Sequence, residues 1–199
     1  MLIPEKMRSH INKIFNGEYN VPFYPNDPLV IVDIGANVGG FIRWAASRWA
    51  GSTFYAFEPI KNNFEILEKN ILDIPNVNLY NVAVGSSDRT QKMFYGKSNE
   101  GEASLFFGNE QVESGEDVNV ISATQIPNCH ILKIDTEGSE IEIIENLIID
   151  PAVYLIEYHS EINRLKIDEL LKNKYSLVGS KSERFNYGIV KYAKNALVK

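Results

Sequence analysis

A single cysteine, Cys129, leaves no partner for a disulfide within the chain and removes the usual mark of an oxidising compartment. Positive charge is also short. Twenty Lys and Arg stand against 26 Asp and Glu, a formal net charge of −6, so a basic surface for the phosphates of a nucleic acid is not expected. No apolar run approaches the roughly 20 residues that span a bilayer. The opening Met1-Leu2-Ile3-Pro4-Glu5-Lys6-Met7-Arg8 lacks the apolar stretch of a secretion signal. Repeats, low-complexity tracts and Pro/Gly/Ser-rich linkers are missing too. These absences predict a cytoplasmic chain without nucleic-acid partner or integral membrane segment; they set no oligomeric state.

What is present is the material for one core. Of 199 residues, 44% are hydrophobic and 23% charged, the profile of a single globular domain. An N-terminal helix and turn-rich approach segment are expected over 1–28 and the main body over 29–199. Within that body, strand patterns at 29–32, 53–57, 77–82, 130–134 and 153–157 alternate with helical patterns at 40–48, 61–70, 140–146 and 162–173. Such alternation predicts an α/β fold, a doubly wound Rossmann-like sheet of about seven strands, mostly parallel and covered on both faces. The segments 175–178 and 188–192 are joined by a polar loop too short for a crossover helix, so they should close the sheet as an antiparallel hairpin. Short strands at 92–95 and 118–121 flank a polar stretch, 96–117.

In a doubly wound sheet ligands sit beyond the carboxyl ends of the strands, so polar residues at those ends are the candidates. The first strand ends in Asp33-Ile34-Gly35-Ala36-Asn37-Val38-Gly39, whose glycines allow tight turns and close backbone approach to a ligand. Asn37 stands where a dinucleotide fingerprint needs its second glycine, which favours S-adenosylmethionine over a nicotinamide cofactor. Glu58 ends the second strand, placed to accept hydrogen bonds from both ribose hydroxyls. Taken without function, Asp33 would be a helix cap or turn residue and Glu58 a surface acid before Pro59. Asn81 ends the third strand, at the level of an adenine contact, though it suits a turn equally well.

The fourth strand runs into Lys133-Ile134-Asp135-Thr136-Glu137-Gly138-Ser139-Glu140. Period two puts Lys133 and Asp135 on one face, and a lysine inside an apolar strand needs a partner, here Asp135 or Glu157. Glu157 and His159 end the fifth strand. Asp135 and His159 lead as proton acceptors, with Glu157 and Glu137 behind them. His130 reads as structural and His10 as surface. Asp135, Glu137 and Glu157 offer oxygens of the kind Mg²⁺ prefers, but in an unspecific spacing, so no metal is expected.

On these residues the chain resembles the FkbM-type methyltransferase family over most of its length. The matching pieces are Val32 to Gly39, Glu58-Pro59, Asn81-Val82-Ala83-Val84-Gly85, the Lys-Ile-Asp-x-Glu-Gly-x-Glu signature at 133–140, and Ile156-Glu157-Tyr158-His159. The resemblance implies the class I methyltransferase fold and S-adenosylmethionine-dependent O-methylation of a hydroxyl on a sugar, glycan or natural-product small molecule. Asp33, Gly35, Ala36, Asn37, Gly39, Glu58, Asn81 and Asp135 would hold the cofactor, and Asp135, His159 and Glu157 would serve catalysis. One departure is Ser122-Ala123-Thr124-Gln125, where the family has a Thr-Leu-Asp-like segment. Substrate choice is expected to reside in the N-terminal segment and 96–117. An NAD(P)-dependent oxidoreductase and a non-catalytic S-adenosylmethionine-binding module are the alternatives.

Overall fold

The computed structural model describes residues 1–22, 28–96, 99–104, 114–184 and 186–198. Its centre is a strand run buried on both faces. β1 (Val30–Ile34), β8 (Ile131–Ile134) and β9 (Val153–Tyr158) are almost wholly buried and rich in Val, Ile and Leu, as central parallel strands require. Two flanking strands, β2 (Thr53–Phe57) and β3 (Val77–Tyr80), continue the parallel sheet on one side. A hairpin of β10 (Tyr175–Arg184) and β11 (Tyr187–Lys194) closes the other. The resulting seven-stranded sheet has the order β10-β11-β9-β8-β1-β2-β3, with β11 antiparallel to both its neighbours. This is the expected α/β layout.

Helices cover both faces because alternate side chains along each central strand are apolar in both directions. On one face α1 (Arg8–Phe15), α2 (Gly40–Arg48) and α3 (Lys61–Ile71) pack Ile11, Phe41, Trp44 and Leu67 against Ile31, Phe54, Ile131 and Leu155. On the other, α4 (Glu140–Asn146) and α5 (Glu161–Leu171) pack Ile143 and Ile167 against Val32, Ile34, Leu132 and Ile156. Ser160 caps α5 by accepting the Asn163 N–H at 3.0 Å. No helix among the described residues is long and apolar enough to cross a membrane.

Three local expectations change. The third strand stops at Tyr80 instead of running to Val82, because the Asn81 side chain turns back to the Glu58 and Pro59 carbonyls at 2.8 and 3.0 Å. The short strands around the polar stretch are not isolated edges. β4 (Ala83–Gly85), β5 (Arg89–Gly96), β6 (Asn99–Ser104) and β7 (Ser114–Ser122) form a second, four-stranded sheet in the order β4-β7-β5-β6. Period-two alternation there was hidden by polar residues facing solvent; residues 97–98 and 105–113 of the stretch lie outside the described residues. The closing hairpin is also longer, extending through polar Gly179 to Arg184, since backbone pairing with β11 needs no apolar side chains.

Candidate active site

Parallel register aligns the carboxyl ends of β1, β2 and β8 at one edge. Asp33 lies opposite Lys133 and Ile34 opposite Phe57. Beyond the strands the Gly35 and Ala36 N–H groups both donate to the Phe57 carbonyl at 2.9 Å, and the Asp135 N–H donates to the Ile34 carbonyl at 3.0 Å. The glycine turn is thereby clamped between the exits of β2 and β8. Gly35 has φ +82°, and a Cβ there would sit 1.8 Å from the Asp135 carbonyl oxygen, so only glycine lets the two loops meet. Asn37 also adopts a left-handed backbone, φ 51°.

Two clefts flank this turn. The larger, about 550 Å³ with its open mouth included, is bordered by Gly35, Asn37, Glu58, Asp135, Glu137 and Ser139 and floored by apolar Phe57, Ile60, Val82 and Ala83. The smaller, about 290 Å³, lies on the other side of Gly35 and Asn37, between the turn and α1, where Met7, His10 and Ile11 face Lys133 and Asp135. Both contain Asp135.

Glu58 is 4% exposed, its two oxygens receiving the Asn37 N–H at 2.8 Å and the Ile60 N–H at 2.9 Å. Burial pushes its carboxyl up to about 7, against the hydrogen bonds from Ile60, Asn37 and Asn63 that hold it down. Below the clefts lies a buried charge cluster. The Lys133 ammonium reaches Asp33 Oδ1 at 2.9 Å, Asp135 Oδ2 at 3.4 Å and the Gly35 carbonyl at 2.8 Å. Asp33, expected to touch ligand, is instead wholly buried as the closest anion to Lys133 and lines neither cleft. Of the two alternatives foreseen for Lys133, Asp135 is the one in ion-pair contact, and Asp33 was not foreseen, because the pairing of β1 with β8 brings residues 100 apart in sequence side by side.

The carboxyls at the strand ends are driven apart. Burial works to raise Asp135, but the charges of Lys133, His159 and His10 outweigh it and hold it below the ordinary range. Glu157, 2% exposed and 3.4 Å from the donating Tyr19 hydroxyl, is pushed up to about 9 by burial and by the Asp135 charge. At neutral pH Asp135 is therefore an anion and Glu157 carries a proton. His159 sits between Glu140, 3.1 Å from Nδ1, and Glu137, 3.1 Å from Nε2. Burial opposes its charge, yet the Glu140 hydrogen bond and the charges of Glu137, Glu140 and Asp135 push it up to about 10. A protonated imidazole has no lone pair to offer, which removes His159 and Glu157 from the proton acceptors available at neutral pH and leaves Asp135.

Of the residues expected to meet the cofactor, Gly35, Asn37, Glu58 and Asp135 line the larger cleft and Ala36 the smaller. Gly39 lines neither; at φ +87° it turns the chain into α2. Asn81 holds the Glu58-Pro59 backbone from behind. Four contributors went unread in the sequence. Half-buried His10 faces Asp135 and is not a surface residue, Tyr19 backs Glu157, and Asn63 supports Glu58. Glu140, 0% exposed, gathers the Gly138 N–H at 2.9 Å, the Thr136 N–H at 3.4 Å and His159. Only Glu140 had a local signal, its place in the 133–140 signature. His130, by contrast, is structural as expected, accepting the Val30 N–H at 2.8 Å.

Residues 33–177 match the methyltransferase FkbM domain. The chain belongs to that family. A relative in Beauveria bassiana (strain ARSEF 2860), Methyltransferase 1, is 23% identical over 155 residues, 65% of this chain and 62% of that protein. The chain thus spans under two thirds of the relative's length. A crystal structure of an FkbM methyltransferase from Methylobacillus flagellatus KT shares the fold, with TM-score 0.61 at 15% identity over 86% of this chain and 45% of that one. So does M. capricolum TrmK in complex with S-adenosylhomocysteine, with TM-score 0.53 at 13% identity over 98% of this chain and 70% of that one.

FkbM methyltransferases depend on S-adenosylmethionine, and the residues at this edge suit it. Gly35 gives a side-chain-free approach between two clefts, Glu58 presents buried carboxylate oxygens, and the buried Asn37 Oδ1 has no hydrogen-bond partner among the described residues.

Proposed function

We propose that this FkbM methyltransferase is a cytoplasmic O-methyltransferase that transfers the methyl group of S-adenosylmethionine to a hydroxyl of a sugar, glycan or natural-product small molecule. The observation that carries the reading is the pairing of Glu58 and an ionised Asp135 across one cleft, joined by the Gly35–Asn37 turn. Residues 29–199 form the catalytic domain in this reading, and 1–28 contributes α1 as a wall of the smaller cleft. The acidic chain and the scarcity of Lys and Arg support a small acceptor over a nucleic acid.

S-adenosylmethionine supplies an electrophilic methyl group on a sulfonium. Glu58 accepts the ribose hydroxyls, a role that requires the carboxylate and so is complete only above pH 7. Gly35, Ala36 and Asn37 provide the close backbone approach. Asp135, kept anionic by Lys133, takes the proton of the acceptor hydroxyl as that oxygen becomes nucleophilic. Lys133 also ties the Gly35 carbonyl to the same charge cluster, so that cofactor turn and proton acceptor keep a fixed separation. Glu157 remains protonated and stabilises the neighbouring Asp135 anion by staying neutral.

Calorimetry with S-adenosylhomocysteine tests the cofactor assignment, and radiolabelled methyl transfer to a panel of sugars, glycosides and phenols tests the acceptor class. Saturable binding and O-methyl product on at least one hydroxyl are expected. Absence of binding, or NAD(H) binding in its place, would refute the reading.

A further inference from the structure

The loop leaving β8 gathers acidic side chains beside His159. Asp135 and Glu137 on this loop and His159 just past β9 bring one ligand-type atom each to within 4.8 Å of one another, with all three side chains half-buried. Around them four carboxylates, Asp33, Asp135, Glu137 and Glu140, face three basic groups, Lys133, His159 and His10, so negative charge is in excess even with both imidazoles counted as charged. Buried charge of this kind is ordinarily matched by a partner or a metal ion.

The orientation of His159 is the second observation. Its Nδ1 is held at 3.1 Å by Glu140, whose side chain is fully buried, which turns Nε2 toward Glu137 and Asp135. Buried Nε2 lies 3.1 Å from Glu137 Oε2 but without hydrogen-bond geometry. A carboxylate gripping one imidazole nitrogen while the other faces two carboxylates is the arrangement that orients a metal-ligating histidine. Independently, Ser139 is 1% exposed, borders the larger cleft beside Glu137, and has an Oγ with no hydrogen-bond partner among the described residues. A buried hydroxyl left unpaired points to a missing ligand or ordered water.

We infer that Asp135, Glu137 and His159 form a divalent-cation site in the wall of the cleft, against the sequence expectation of none. Asp135 Oδ2 is engaged by Lys133, which leaves Oδ1 for the cation. The cation takes the place of the His159 Nε2 proton, which is released to solvent on binding; two carboxylate oxygens and one imidazole nitrogen then leave coordination positions open, and this mixed set suits Mn²⁺ or a similar borderline cation better than Ca²⁺. In the methyl-transfer reading, on which its role but not its existence rests, the cation holds the acceptor's hydroxyl oxygen at an open position, and Asp135 Oδ2, which Lys133 approaches only to 3.4 Å, takes its proton.

Mn²⁺ titration of the full chain, read by electron paramagnetic resonance of the free aquo ion, tests the site without any acceptor. Wild type should bind one Mn²⁺ per chain. His159→Gln and Glu137→Gln should each weaken binding by at least about tenfold, whereas Glu68→Gln, on the exposed side of α3, should leave it unchanged. Glu137→Gln alters a side chain already 25% exposed and guards against loss of fold in His159→Gln. S-adenosylhomocysteine binding, measured in parallel on metal-free wild type, separates the two claims. Binding of the nucleoside without saturable Mn²⁺ binding overturns the cation site alone, and the converse overturns the cofactor reading alone. Mn²⁺ affinity unchanged in both variants shows an ion-pair network only and also overturns the site.

Discussion

Glu58→Gln is the most revealing substitution, because the same burial that raises this carboxyl also makes it costly to the fold. An acid that binds its proton more tightly when folded destabilises the native state as pH rises, since the unfolded chain gives up its proton first. For Glu58 the window runs from its ordinary value of 4.5 to about 7. Below the window both states are protonated and above it both are ionised, so the loss is confined between them. Integrating over that interval, about 2.5 kcal/mol of wild-type stability should disappear between pH 5 and pH 8 on account of this residue. Glutamine does not titrate. It keeps an oxygen for one of the two backbone donors, Asn37 or Ile60, and leaves the other poorly paired, a fixed cost of about 1–3 kcal/mol at every pH. Urea unfolding of both proteins should therefore show the variant clearly less stable at pH 5 and near parity with wild type at pH 8. The difference should move by about 2.5 kcal/mol in the variant's favour. S-adenosylhomocysteine should bind the variant about 10- to 100-fold more weakly at pH 8, the loss of charge-assisted hydrogen bonds. A stability difference that stays constant with pH would show that the carboxyl is not buried as described, and unaltered nucleoside affinity would remove it from the ribose.

Other substitutions test separate parts of the edge. Lys133→Met strands Asp33 and Asp135 as buried anions and should cost about 3–5 kcal/mol. The melting temperature should then fall by roughly 6–20 °C, and a fall under about 2 °C would contradict the buried pairs. Gly35→Ala and Gly51→Ala share a left-handed backbone, φ +82° and +79°, but only the first meets another atom, the Asp135 carbonyl. Gly51→Ala should cost about 1 kcal/mol and Gly35→Ala more than about 2 kcal/mol with loss of nucleoside binding; equal costs would contradict the close approach. Asp135→Asn should lower methyl transfer at least about 100-fold while Glu157→Gln, replacing a group already protonated, stays within a few-fold, and the reverse order would reassign the proton acceptor.

The larger organisation was legible because it rests on local patterns. The apolar run at 29–32 and the largely apolar 130–134 read as strands buried in the sheet, and acids at their ends fall at its ligand-binding edge for any doubly wound order. Gly35, Asn37, Glu58 and Asp135 were readable on that ground, and all four line the cleft. The second sheet was not readable, since β5 and β7 alternate polar residues toward solvent and are joined by pairing between distant segments.

Sequence alone determined which chain segments would supply the cleft, and the 133–140 signature marked its wall. Tertiary structure decided the protonation of that wall. Whether Asp135, Glu157 or His159 carries the proton depends on burial and on neighbours from other elements: Lys133 opposite Asp33, Glu140 beneath His159, Tyr19 against Glu157. Chain order encodes a residue's type and its place on a strand, but a proton responds to the charges and the loss of water around it, and those are assembled only when β1, β8, β9 and the N-terminal segment pack together.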